Sequence, residues 1–256
     1  IYQRRIVGQK YRRSELCRIY FDKSQEELAE KTFGCVRFVY NKTFYMKKDR
    51  YETYKENIEF GDLQKMVTFW KSTEEFSFLN EVPASALTHS VMNLQTAYKN
   101  FFEGRAGFPK FKKKNHEQSF IVYEKTNRIN EDGTINLPKF GNVKIGGLKN
   151  KTPRHIGNVT IKKKKNGKYF VSFSEEIIID SEKPKVERIE GLKINAIDVN
   201  LENFLTDMNG NRVENPRFKK HIFDRIKYYN QRMSACVKGS NGWHKWRLKI
   251  AKIFEK

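Results

Sequence analysis

The sequence predicts an α+β chain: a small antiparallel β-barrel with a helical lobe inserted into it, followed by a second strand-led region that breaks off before it can close. Three observations predict this. Apolar stripes of helical period run between about residues 24 and 102. From Ser119 the pattern changes to short strands of alternating polarity, divided by turn dipeptides. Near the C-terminal third, the stretch Gly191 to Asp207 begins as a buried strand (Ile194, Ala196, Ile197, Val199) that carries one carboxylate, Asp198, where its apolar run ends. With 256 residues the chain is long enough for one large or two modest domains with real cores.

Composition narrows the partners. Lys and Arg number 51 against 30 Asp and Glu, a net charge of +21, and such an excess recruits polyanions. Aromatic residues make up 14% of the chain, with 20 Phe and 12 Tyr, far richer than a disordered basic tail. Folded, strongly basic and aromatic-rich together favour nucleic acid over a membrane surface. Apolar runs are as short as Ile177 to Ile179, below a spanning length. No signal peptide is expected at Ile1. The three cysteines, Cys17, Cys35 and Cys236, form no C-x-x-C pair, so neither a zinc site nor a disulfide framework is expected. A reducing compartment, the cytoplasm, is the expected location.

Taken in order, the charged opening (Arg4, Arg5, Lys10, Arg12, Arg13) leads into a strand at Leu16–Phe21. Ser24 to Glu27 reads as a capping box, in which hydroxyl and carboxylate satisfy each other's free backbone amides. The helix it opens carries Leu28, Phe33, Val36, Val39 and Tyr40 on one stripe, weakened by Gly34. Arg37, Asn41 and Lys42 fall mostly off that stripe. A second helix from about Asp62 has Leu63, Met66, Val67 and Trp70 at i, i+3, i+4 and i+7. Pro83 opens a third, where its missing amide costs nothing, with Leu87, Val91, Leu94 and Tyr98 inward. Gly104 to Lys114 then interleaves Phe108 and Phe111 with Arg105, Lys110, Lys112 and Lys113 around glycines. Such a loop presents cations to phosphates while its rings stack on bases or pack underneath.

Strands are expected at Phe120–Tyr123, 129–130, 134–137, 143–145, 159–161 and 169–173, with Asn166-Gly167 turning the last pair. Many short strands with such turns suggest a small antiparallel barrel. Ser181 to Glu190 reads as a linker. After it comes the Asp198 strand, then a strand at Phe204–Met208, the Asn209-Gly210 turn and a return through Arg212 to Glu214. An antiparallel meander with an Asp on its first, central strand is how the RNase H-like nuclease fold opens. A carboxylate on a rigid strand can hold a divalent metal against a phosphate, and two-metal cleavage needs several of them. Two basic amphipathic helices follow, from about Asn215 and Trp243, parted by Gly239 to Gly242. The second reads as ending inside an element.

Three stretches carry a resemblance: Lys31-Thr-Phe-Gly-Cys-Val-Arg-Phe-Val-Tyr-Asn-Lys42, Gly104-Arg-Ala-Gly-Phe-Pro-Lys-Phe-Lys112, and Ala196-Ile-Asp-Val-Asn-Leu-Glu-Asn-Phe204 with Glu214 to Phe218. Together with the order of elements, from about Arg18 onward, the chain resembles the TnpB (OrfB) proteins of bacterial transposons, RNA-guided DNA nucleases related to type V CRISPR effectors. The resemblance implies a wedge domain in two parts (1–22 and 116–185), a helical recognition lobe (23–115) and the N-terminal part of a RuvC-like domain (186–256). It implies a guide RNA and target double-stranded DNA with a short adjacent motif as partners, with pairing reading sequence and protein reading shape. It further implies nucleic-acid contact by Arg37, Asn41, Lys42, Gln64, Gln95, Lys99, Arg154 and the Arg105 to Lys113 loop, Phe108 and Phe111 included.

Departures bear on catalysis. Ala196 and Asn200 stand where the family has glycines beside the Asp, and Glu202 where a Lys is usual. The family's second-motif Glu, its zinc ribbon and its final Asp are absent from the sequence. Asp198, the catalytic and metal-binding candidate, therefore meets Mg2+ only if other carboxylates complete the site. Glu202, Asp207 and Glu214 read as turn or surface residues. The expected function is guided DNA binding with an incomplete nuclease centre, extending to transcriptional repression. The alternatives are a full RNA-guided endonuclease of which this is a part, and an RNA-binding protein without a DNA target.

Overall fold

The computed structural model describes residues 9–115, 117–148, 152–179, 196–200 and 202–254. Arg4, Arg5, the 181–190 linker and the 191–195 start of the Asp198 strand lie outside the described residues. The chain divides into two compact units, 1–179 and 180–256.

In the first unit β1 (Gln9–Tyr20) runs into α1 (Lys23–Tyr54), a single helix of 32 residues. Its N-cap is Asp22 rather than the Ser24 expected. The Asp22 carboxylate accepts from the Gln25 N–H at 2.8 Å, the Gln25 side chain accepts from the Asp22 N–H at 3.1 Å, and Ser24 Oγ donates to the same carboxylate. A carboxylate at this end also meets the positive pole of the helix. Gly34 does not interrupt α1, which ends at Lys55 in a left-handed conformation (φ 58°). The expected stripe of Phe33, Val36, Val39 and Tyr40 is buried, and Leu28 packs at its edge.

Helix α2 (Phe60–Ser72) and α3 (Ala84–Phe102) complete the lobe, with Leu63, Val67, Trp70, Leu87, Val91, Leu94 and Tyr98 inward. The buried Ser90 hydroxyl donates to the Val36 carbonyl of α1 at 2.6 Å, so close approach of α1 and α3 leaves that polar group satisfied.

The sheet uses β1 with β2 (Gln118–Val122), β3 (Arg128–Ile129), β4 (Thr134–Leu137), β5 (Gly141–Gly146), β6 (Arg154–His155), β7 (Val159–Lys163) and β8 (Tyr169–Ile179). The order is β2-β7-β8-β1-β5-β4-β3-β6, antiparallel throughout. Strands β2 and β6 are the two edges, so the barrel expected from the sequence is not closed by backbone pairing. One reason is local: β6 is only two residues long and follows Pro153, which has no N–H to extend the ladder. Fully buried Asn127 bridges beside these edges, donating to the carbonyls of Val122 (3.2 Å) and Gly157 (3.1 Å). Strand β1 is longer than expected because it pairs with β8 along almost its whole length, from Gln9↔Ile179 to Ile19↔Tyr169.

Helix and sheet are tied together. Phe33 of α1 meets Phe120 of β2 edge-on at 4.9 Å, and Phe120 stacks on Phe140. Gln25 Nε2 donates to the carbonyls of Phe140 and Asn142. Lys163 Nζ donates to Glu30 Oε1 at 2.6 Å, and the Tyr169 hydroxyl lies 2.7 Å from Glu30 and 3.0 Å from Glu26.

The second unit holds a three-stranded antiparallel sheet, β9 (Ile197–Asp198), β10 (Asn203–Asp207) and β11 (Arg212–Glu214), with β10 central. The turn at Asn209-Gly210 is as expected, with Gly210 at φ 80°. Helices α4 (Phe218–Ser234) and α5 (Asn241–Ile253) pack on each other through Tyr228, Tyr229 and Trp246. Ser240 caps α5, so Gly242 falls in its first turn rather than in the break. No residue of this unit is buried among the described ones.

Candidate nucleic-acid interface

The basic Phe loop follows α3 and folds back along α1. Asn41 holds it from both sides: its Nδ2 donates to the Lys112 carbonyl at 3.0 Å and its Oδ1 accepts from the Lys112 N–H at 2.8 Å. A side-chain amide used this way imitates one rung of a β-ladder. Phe111 docks edge-on against Phe44 at 4.8 Å, and Phe108 lies 5.2 Å from Phe101 and 5.8 Å from Tyr98. Both loop rings remain almost half exposed.

The lysines of the loop divide. Lys112 is drawn inward, its ammonium 4.2 Å from the centre of the Tyr40 ring, and burial pulls its pKa below the usual lysine value. Lys110 and Lys113 stay exposed. They line a groove of about 500 Å³ whose other wall is α1, with Phe33, Arg37 and Tyr40, and whose end is Gln118. Arg37 is aimed by a hydrogen bond from its Nη1 to Gln118 Oε1 at 3.2 Å. The result is a channel with cations on both walls and rings at its base, which suits a phosphodiester backbone and stacked bases.

The remaining candidates separate by what they touch. Lys42 lies over an aromatic cluster, 4.2 Å from the Phe76 ring and 5.1 Å from Trp70, so it completes packing rather than a groove. Lys99 and Arg105 are exposed and both pair with Glu103. Surface pairs of this kind are worth little and release readily to a phosphate. Gln95 is exposed on α3, and Gln64 is half-buried on α2. Arg154 sits in β6, where Nη1 donates to the Thr152 carbonyl.

Asp198 lies in the second unit, exposed, on a two-residue strand paired with Thr206. Its near partner is the Asn200 amide at 3.4 Å, a weak contact. Asp207 is committed elsewhere: its carboxylate accepts from the Asn209 and Asn211 backbone and from the Asn211 side chain. Those hydrogen bonds, led by the Asn211 side chain, hold its pKa below the ordinary value. Glu202 and Glu214 are exposed. Among the described residues no three His, Cys, Asp or Glu side chains are grouped to hold a metal ion. The donor set around Asp198 among the described residues therefore does not fit a two-metal centre.

The sequence set Asn41 and Lys42 mostly off the buried stripe and Lys112 among the cations of the loop, and gave no sign that each is held by partners distant in the chain. Sequence reasoning missed Gln118, whose isolated position before a strand gave no signal. Among the described residues no helix is long and apolar enough to cross a membrane.

The chain is similar in sequence to several known proteins. A family profile of the OrfB type described as "Helix-turn-helix domain" matches residues 13–56, and another, described as "Probable transposase", matches residues 176–256. In this chain the first match covers the inner half of β1 and the unbroken helix α1. A "Putative RNA-guided DNA endonuclease" of Streptomyces pristinaespiralis is 27% identical over 247 residues, covering 96% of this chain and 60% of that protein. The "Putative RNA-guided DNA endonuclease InsQ" of Escherichia coli K12 is 27% identical over 230 residues, covering 90% and 56%. "Virulence protein VsdF" of Salmonella dublin is 32% identical over 112 residues, covering 40% of this chain and 93% of that one. The chain thus spans less than two thirds of the length of the two endonuclease relatives. On these matches at both ends, and on the motifs they enclose, the chain belongs to the TnpB (OrfB) family.

Proposed function

We propose that this chain is an RNA-guided DNA-binding protein, with a wedge domain formed by residues 1–22 and 116–185, a recognition lobe at 23–115 and the opening part of a RuvC-like domain at 186–256. The observation that carries the reading is the groove between α1 and the basic Phe loop, where Arg37, Lys110 and Lys113 face one channel. Its partners are a guide RNA and a duplex DNA target with a short adjacent motif. Guide pairing supplies sequence specificity while the groove supplies backbone affinity. As it stands the chain binds its target without cutting it, the behaviour of a guided repressor.

A second reading is favoured by one observation. The relatives that carry the endonuclease name extend well beyond the matched part. In a longer protein Asp198 would be joined by further carboxylates, and Mg2+ would then supply Lewis-acid chemistry at the phosphate.

The test is purification from the native host with sequencing of bound RNA, followed by incubation of that complex with matching duplex and magnesium. Guide-dependent binding without cleavage is the expected result, and Asp198→Ala should leave it intact. Cleavage would favour the second reading. Tight RNA binding with no preference for a complementary DNA would remove both.

A further inference from the structure

A second cleft, of about 820 Å³, lies between the C-terminal half of α1, the start of α2 and the end of α3, and shares no lining residue with the basic groove. Its floor is apolar, built from Leu63, Leu94, Tyr98, Phe101 and Phe108. Two rings stand proud of that floor: Tyr51 is 59% and Phe102 77% exposed. Phe102 is not a loose surface ring. It lies at 24° to the Tyr98 ring with centroids 6.3 Å apart, and 5.3 Å from Phe101, so it is supported from beneath and open above.

Lysines rim this aromatic surface. Lys47 is fixed: its ammonium donates to the Ile58 carbonyl at 2.7 Å and to the Asn57 side chain, which holds the α1–α2 connection against the cleft. Lys55, in its left-handed position, extends over the Tyr51 ring at 5.7 Å. Lys99, with a side chain 67% exposed, holds only a 4.0 Å pair with Glu103. Two neutral amides, Asn57 and Gln95, line it as well, and its two carboxylates are engaged: Glu52 pairs with Lys48 at 3.5 Å, and Glu59 accepts from the Asn57 amide at 2.9 Å. An apolar ligand would not need the cations, and an inorganic anion would not need the rings. Rings that offer a face, the exposed Gln95 amide that can read a polar edge and the cations of Lys55 and Lys99 together match one chemical class.

We infer that this cleft takes a single unstacked nucleotide, with its base against Phe102 and Tyr51 and its phosphate neutralised by Lys55 and Lys99. The nucleotide is an unpaired position of a bound strand or a free mononucleotide, the same chemistry from two sources. In the first case the inference rests on the guided-binding reading above; in the second it stands without it.

The experiment uses the full chain and two fluorescent probes: 2-aminopurine riboside monophosphate, and a single-stranded oligoribonucleotide carrying one 2-aminopurine. Stacking quenches the fluorophore. Phe102→Ala should weaken the quenched complex about tenfold, and Phe102→Tyr should restore it. Because Phe102 is mostly exposed, its truncation should not unfold the lobe, which circular dichroism checks. Quenching of both probes, or of the oligonucleotide alone, supports the cleft and decides the source. Equal quenching in wild type and Phe102→Ala overturns it. So does an oligonucleotide that binds with a Lys110- and Lys113-dependent salt slope but is never quenched, and that result leaves the guided-binding reading standing.

Discussion

Asn41→Ala is the most informative single perturbation of the basic groove. The side chain makes two hydrogen bonds to the Lys112 backbone, at 3.0 and 2.8 Å, in a half-buried setting. At about 1 kcal/mol net for each bond, the loss should be about 2 kcal/mol. For a protein of this size that corresponds to a fall in melting temperature of about 4–8 °C. The loop would lose its clamp while keeping the Phe111–Phe44 contact, so trypsin cleavage at Lys110 to Lys114 should quicken. Asn41→Asp is the stricter version. It keeps an acceptor for the Lys112 N–H but turns an oxygen toward the Lys112 carbonyl, and should cost at least as much. A melting temperature within about 1 °C of wild type for both variants, with unchanged cleavage, would refute the clamp.

Other outcomes follow from the same structure. Neutralising Lys110 and Lys113 should make the log–log salt dependence of single-stranded RNA affinity shallower by about 1.4, whereas Lys112→Ala should lower stability and leave the slope alone. The Glu30 carboxylate suffers burial, which would raise its pKa, but hydrogen bonds from Lys163 and Tyr169 outweigh this and set it below the ordinary value. Its stabilisation is therefore present above the unfolded pKa and lost as pH falls through the folded one; the gap in melting temperature between wild type and Glu30→Gln should close on acidification below about pH 4.3. Phe120→Ala removes a ring that is 2% exposed and wedged between Phe33 and Phe140, and should cost about 3–5 kcal/mol in denaturant unfolding.

Much of the fold was legible because it is periodic. The stripes of α1, α2 and α3 and the Asn-Gly turns named their elements, although the continuation of α1 from about Lys42 to Tyr54 was not read. What escaped was set by tertiary partners. Asp22 and Ser24 are both good capping residues, and only the path out of β1 decides between them. Strand β6 has two residues and no pattern to read. In the groove, the charges of Lys110 and Lys113 were readable, but nothing near Asn41 announces a partner 71 residues away. A half-buried lysine on a tyrosine, such as Lys112, has the same letter as a solvated one. The second cleft did leave a trace: Lys47, Tyr51 and Lys55 recur every four residues, as Tyr98 and Phe102 do on α3.

The unbroken length of α1 has a consequence for how this protein can change. At about 1.5 Å per residue the helix is a rod of about 48 Å, and it touches the sheet near Glu30, the basic groove at Arg37 and Asn41, and the second cleft at Lys47 to Lys55. Inserting one residue between Glu30 and Arg37 would turn everything beyond it by about 100°, swinging Asn41 off its loop and Tyr51 off its cleft together. Length variation should therefore be excluded from this helix and gathered at the joints on either side of α2, at 55–59 and 73–83, and in the loop after α3. The helix acts as a ruler that keeps two recognition surfaces in phase, and natural or engineered variants must move them as one.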